Sequence, residues 1–167
     1  MTFEEYQKEA VKFRLESANN EDYLTLGLIS EVGEAAGKLA KQIRDGEFDE
    51  KAFIKELGDI LWFVANLADF YDKRHGEENS NYLKNCLNEK LYMAKLPIES
   101  SMRLIDSFKC WLFQSEKHTD YLFPIIRYIA SIASIFGYTL EQVAEINVAK
   151  LRSRANRGVI QGNGDER

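Results

Sequence analysis

Glu31 and Glu34 stand three positions apart in LISEVGEAAGKL (28–39), inside a stretch that otherwise reads as the apolar side of a helix. The arrangement recurs in FIKELGDILWFV (53–64), where Glu56 and Asp59 are again three apart among large apolar residues. Positions three apart on a helix share a face, so each pair projects as one acidic patch. The short connection RDGEFDE (44–50) folds the second helix back on the first as an antiparallel hairpin, which turns the two patches toward each other. Four carboxylates converging in a partly apolar interior cannot all stay ionised without a compensating charge. A hard divalent cation supplies that charge, and oxygen donors with no nearby His or Cys select magnesium, with manganese possible, over zinc or copper. Magnesium takes phosphate oxygens from its ligand, so the constellation points to a phosphate-bearing substrate.

The competing explanation is a solvated helix face in which the acids pair with Lys38, Lys41 and Lys55. Two features favour a site. Gly33 and Gly37 flank the first pair at a cost of ~1 kcal/mol each relative to alanine in a helix interior. Ile60, Leu61 and Trp62 follow the second pair directly.

The elements that must position these residues are helices. Most of the chain repeats its apolar residues at a period near 3.6, and only two prolines occur in 167 residues, so an all-α fold is expected. Helices are predicted over Thr2 to Asn19, Glu21 to Arg44, Asp49 to Asp72, Ser80 to Lys95, Pro97 to Glu116, Thr119 to Phe136 and Thr139 to Arg154. Thr2 with Glu5 forms a capping box, RDG (44–46) closes a helix, and Thr139 opens one after Gly137. KRHGEENSNY (73–82) reads as a long connection and the glycine-rich tail from Gly158 as irregular. Short connections between long amphipathic helices imply an antiparallel bundle, and the length suits one domain over residues 1–167. FVANLADFY (63–71) echoes YIASIASIF (128–136) in its apolar and small positions, but LFPIIR precedes the second copy where the first has acids. Duplication and generic helix patterning explain this echo equally well.

Composition excludes some partners. A net charge of −5 argues against nucleic-acid binding, which relies on excess Lys and Arg. Cys86 and Cys110 are too few and too far apart to staple a secreted fold or complete a zinc site, and are expected reduced and partly buried in helices. The start, MTFEEYQKEAVKF, is acidic and amphipathic, unlike a signal peptide, and the apolar runs are too short for a bilayer. A soluble, cytoplasmic protein that does not engage membranes is expected. His75 and His118 read as surface residues, and Trp62, Trp111, Phe108, Phe113 and Phe123 as packing, with Trp62 also able to border a base pocket.

Glu31-Val32-Gly33-Glu34 followed after a hairpin by Glu56-Leu57-Gly58-Asp59 resembles the ExxE and ExxD of the MazG-like family of all-α nucleoside triphosphate pyrophosphohydrolases. Ser30 stands where that family often has a further Glu. The similarity continues through LGLISEVGEAAGK, KELGDILWFVANLA and the C-terminal segment from Leu140, covering residues 1–72 and 124–167. Residues 73–123 look like a helical insertion.

The resemblance implies that Glu31, Glu34, Glu56 and Asp59 hold the metal ions and carry catalysis. It implies that Asn147 and Lys150, as an NxxK, meet the triphosphate, with Arg154 and Arg157 as phosphate or tail-ordering contacts, and Lys38 is placed with this substrate-binding set. The expected activity is Mg²⁺-dependent hydrolysis of a (d)NTP to (d)NMP and pyrophosphate, in a homodimer or larger homo-oligomer. The alternative is a non-catalytic helical module that binds nucleotide or a protein partner in the same groove.

Overall fold

The computed structural model of the chain describes residues 1–75, 97–114 and 119–159. These residues form six α-helices and no strand: α1 Phe3–Val11, α2 Glu21–Asp45, α3 Glu50–His75, α4 Pro97–Leu112, α5 Phe123–Ile135 and α6 Leu140–Asn156. The chain is all-α, as its periodicity requires.

Local chemistry sets most of the boundaries. Thr2 accepts the Glu5 N–H while the Glu5 carboxylate takes the Thr2 N–H, so α1 begins on a complete capping box, and Thr139 with Gln142 repeats the device at α6. Asn20 caps α2 by accepting from the Tyr23 N–H at 3.1 Å. Gly46 ends α2 in the left-handed region at φ 77°, with its N–H on the Gln42 carbonyl at 2.8 Å. That conformation costs a residue without a Cβ little. Asp49 then accepts from the Ala52 N–H at 2.9 Å and starts α3. The result is the expected α2–α3 hairpin.

Helix α3 is the axis of the molecule and packs against α1, α2, α5 and α6. Its Phe53, Leu57, Ile60, Val64, Leu67 and Tyr71 are buried, as are Leu24, Leu28, Val32, Ala35 and Leu39 of α2. Ile125, Ile126, Ile129 and Ile132 of α5 close the core from the other side.

The structure departs from the sequence-based reading in three helix boundaries and in the exposure of two residues. The first helix stops at Val11 and not Asn19, and a 3₁₀ turn at Glu16–Ala18 follows. Arg14 leaves the helical path to pair with Asp69 at 2.7 Å and to donate to the Asn66 carbonyl at 3.2 Å, a tertiary anchor that local periodicity cannot register. Helix α3 runs on to His75, where Arg74 pairs with Glu21 at 3.1 Å, so the connection begins later than residue 73. Thr119–Leu122 is a 3₁₀ turn separate from α5, which starts with a proline in its first turn. Cys110 and Phe113 are exposed and not packed. The helix predicted over Ser80 to Lys95, Cys86, His118 and the tail from residue 160 lie outside the described residues. No single helix among the described residues is long and apolar enough to cross a membrane.

Candidate active site

Glu31 comes from α2, and Glu56 and Asp59 from α3. One carboxylate oxygen from each lies within 4.8 Å of the other two. Glu56 is only 4% exposed, whereas Glu31 and Asp59 are half-buried. Two of the predicted acidic patches therefore meet across the hairpin.

Glu34, expected as the fourth member, stays outside this trio. It is exposed, and the Ser30 hydroxyl reaches its carboxylate at 3.5 Å. Helical geometry accounts for the difference. Leu28, Val32, Ala35 and Leu39 are the buried stripe of α2. At 3.6 residues per turn Glu31 lies about 70° from the centre of that stripe and Glu34 about 130°, toward solvent. Three residues apart is one face, but not one direction.

Crowding has an electrostatic signature. Burial, reinforced by the charges of Asp59, Glu34 and Glu56 and opposed by Lys150, pushes the Glu31 carboxyl up to about 8. Glu31 is thus charged with difficulty on its own, and the donors of the trio are all oxygen. Both properties fit a hard divalent cation bound by Glu31, Glu56 and Asp59.

Cations of the chain itself also reach these acids. Lys38 Nζ lies 2.9 Å from Glu56 Oε1, so this part of the solvated-face expectation is present at the buried acid. Lys150 contacts both oxygens of Asp59, and Asn147 Nδ2 donates to Asp59 Oδ1 at 2.9 Å. Asn147 and Lys150, which the resemblance aims at a triphosphate, are both on Asp59 in this structure. Asn147 is buried, and its seat depends on Gly58: a Cβ there would stand 3.0 Å from Asn147 Cβ and 3.3 Å from its Nδ2.

Beside the acids lies a cleft of about 460 Å³. Glu56 and Asp59 share its wall with Lys38, Lys55, Lys150, Arg154 and Arg157. Asn147, Lys150, Arg154 and Arg157 follow one another at spacings of three, four and three along α6 and its C-cap, so one side of the helix delivers amide, ammonium and guanidinium groups. A surface with carboxylates beside several cations can take a polyanion together with its metal ion.

Sequence reasoning missed Tyr6, whose hydroxyl donates to Asn147 Oδ1 at 2.8 Å. An aromatic on the buried face of an amphipathic helix carries no sign of a polar partner 141 residues away. Trp62 gives its indole N–H to the Ala10 carbonyl at 3.2 Å, and Trp111 is buried in the core.

A sequence profile of the MazG nucleotide pyrophosphohydrolase domain matches residues 19–84, which include all four acids. The gene 37 protein of Mycobacterium phage L5 is 40% identical over 55 residues, which make up 30% of this chain and 48% of that protein. The chain thus matches about half the length of that relative. No solved structure matches the chain significantly.

Proposed function

With residues 19–84 belonging to the MazG nucleotide pyrophosphohydrolase family, we propose that this chain is a Mg²⁺-dependent enzyme that hydrolyses a (d)NTP to the (d)NMP and pyrophosphate. The observation that carries the reading is the adjacency of the carboxylate trio to a cleft with five cationic side chains in its wall. Glu31, Glu56 and Asp59 would hold the metal, with Glu34 joining by a rotamer change from its exposed position. Magnesium, or manganese in its place, would supply Lewis-acid activation of water and countercharge for the phosphates.

The chain's own residues divide the remaining work. Lys150, Arg154 and Arg157 bind and orient the triphosphate from α6, and Lys38 and Lys55 do so from the hairpin. Asn147 holds Asp59 in place. A glutamate of the trio accepts the proton of the attacking water, which its crowded neighbourhood suits to the task. Attack at the α-phosphorus releases the terminal two phosphates together, with no covalent enzyme intermediate. The reading includes one domain over residues 1–167 with a helical insertion at 73–123, a homodimer or larger assembly, a cytoplasmic location, and no nucleic-acid or membrane partner.

A panel of nucleoside triphosphates assayed with Mg²⁺ in ¹⁸O-labelled water tests this reading. Label is expected in the monophosphate; orthophosphate and a diphosphate as first products would refute it. Lys150→Ala is expected to raise KM more than it changes the Mg²⁺ requirement, because a lysine neutralises phosphate but does not ligate a cation.

One observation favours a second reading. Lys38 on Glu56 and Lys150 on Asp59 already pair two of the acids, as they would in a module that binds nucleotide without cleaving it. A thermal melt with Mg²⁺ and a non-hydrolysable dNTP analogue separates the two. Ligand at 100 times its Kd stabilises by roughly 2.7 kcal/mol, and such stabilisation without turnover of any triphosphate supports the module.

A further inference from the structure

Helix α1 contributes no group to the carboxylate trio or the cleft wall, yet one of its side chains is bonded into the site. We infer that Tyr6 is a positioning residue for Asp59, acting through the amide of Asn147. The inference rests on the proposed metal-binding role of Asp59. Tyr6 and Asn147 are each 1% exposed, so neither can exchange its bond for one to bulk water.

The direction of the relay is fixed by chemistry. An ionised Asp59 offers only acceptors, so the Asn147 group facing it at 2.9 Å must be the NH₂. The amide oxygen is then turned toward Tyr6, and the phenol must donate to it, at 2.8 Å. Burial and the Asp59 charge hold the Tyr6 hydroxyl well above its ordinary pKa, so the donor keeps its proton. Without that donor, nothing in the pair prevents the amide from rotating and presenting its oxygen to the carboxylate. Gly58 adds an independent constraint, since the space over its missing Cβ is where Asn147 lies. Gly58 thus makes room for the amide, and Tyr6 on one side and Asp59 on the other set which way it faces. Hydrogen-bond partners of metal ligands typically change metal affinity by about 10- to 100-fold when removed.

The test is Tyr6→Phe, read by Mn²⁺ binding in electron paramagnetic resonance with no nucleotide present. The wild-type chain and Asp59→Asn are measured alongside. The expected result is Mn²⁺ binding about 10- to 100-fold weaker in Tyr6→Phe, and less than about twofold further weakening when Tyr6→Phe is added to Asn147→Ala, because the relay is already cut. Unchanged Mn²⁺ affinity in a folded Tyr6→Phe protein overturns the inference, as does an equal loss on the Asn147→Ala background. If Asp59→Asn binds Mn²⁺ as the wild type does, the metal reading itself fails, a result distinct from either. Should Tyr6→Phe not fold, the wild-type chain decides: Mg²⁺ titration must shift the Asn147 side-chain amide and Tyr6 ring resonances together, and a Mg²⁺-bound protein in which neither moves overturns the relay.

Discussion

Helices α3 and α5 both run through the core, and the segments 63–71 and 128–136 within them share a pattern of apolar and small residues, but they treat polarity in opposite ways. Helix α3 carries Glu56, Asn66 and Asp72 at buried positions; α5 buries a row of isoleucines and alanines and a single polar side chain, Ser131. Most polar groups of α3 have a partner: Lys38 for Glu56, the Trp62 carbonyl for the Asn66 NH₂, and the Thr119 hydroxyl for Asp72 at 2.6 Å, with the Asn66 side-chain oxygen left unsatisfied. Burying a carboxylate is costly unless it is paired. A fold that could fill the same space with isoleucine, as it does in α5, keeps Glu56 and Asp59 along the edge of α3 that meets α2 and α6, and Asp72 beside Thr119. The acids are thus where the molecule departs from its own packing solution, and such departures concentrate at functional sites.

This contrast can be broken most directly at Asp59. On the proposed reading Asp59→Asn removes a charged metal ligand worth several kcal/mol to the reaction, so turnover is expected to fall about 1000-fold. The melting temperature of the metal-free protein should change little, because Asn retains the shape, its side-chain oxygen can still accept from Asn147, and the half-buried Lys150 can turn to solvent. Turnover within tenfold of wild type would remove α3 from the chemistry. The mirror experiment is Ile129→Ala in α5, which opens a cavity in a fully buried position. It is expected to cost about 3 kcal/mol of stability, measured by urea denaturation, while kcat/KM of the folded protein stays within about twofold. If Ile129→Ala reduced kcat/KM as Asp59→Asn does, the division between scaffold and site would collapse.

Gly58→Ala tests how closely packing and chemistry meet on α3. The added Cβ would press on Asn147 at 3.0 Å, an overpacking cost of about 2 kcal/mol. A loss of Mn²⁺ affinity should accompany it. Stability loss with unchanged Mn²⁺ affinity would separate the glycine's packing role from the site.

The smallest effect is a pH slope. The Glu31 carboxyl is raised from 4.5 to about 8, chiefly by burial and then by its acidic neighbours. Between those values the folded chain holds a proton that the unfolded chain has released, so the stability of the metal-free protein falls as pH rises through this window. One proton sets a ceiling of about 1.4 kcal/mol per pH unit, reduced here because Glu31 is half-buried and solvent screens it. Glu31→Gln should flatten this slope. A metal ion that binds the ionised form must displace the proton, so apparent Mn²⁺ affinity is expected to climb with pH and level off near 8. A flat Mn²⁺ profile from about pH 6 to 8 would place Glu31 outside the ligand set.

The helices and the hairpin were legible because their determinants are local: apolar spacing, the Thr2 and Thr139 caps, Gly46 in the turn. The convergence of Glu31 with Glu56 and Asp59 followed from the same periodicity plus a short loop. What escaped was whatever depends on distant partners. The end of α1 is fixed by Arg14 reaching Asp69, and the Tyr6 hydroxyl finds Asn147 at the other end of the chain. Glu34 fell outside the trio because an i, i+3 spacing leaves a rotation of about 60° between neighbours on the same face, which matters at the boundary between core and solvent. Lys38 is expected both as a counterion of the acids and among the substrate-binding residues, and its pairing with Glu56 needed the third dimension.

Lys38 and Lys150 give the carboxylates a countercharge that is covalently tethered to the protein. On the proposed reading, Glu56 and Asp59 would turn from Lys38 and Lys150 to hold a divalent ion, and the two ammonium groups, which line the adjoining cleft, would be available to it. The incoming polyphosphate is their natural new partner. Metal and nucleotide therefore help each other to bind, and by thermodynamic reciprocity the factor by which one improves the other's affinity is the same in both directions. On that reading the site would fill more completely with a polyphosphate present than with Mg²⁺ alone, because the tethered ammonium groups would no longer compete for the carboxylates.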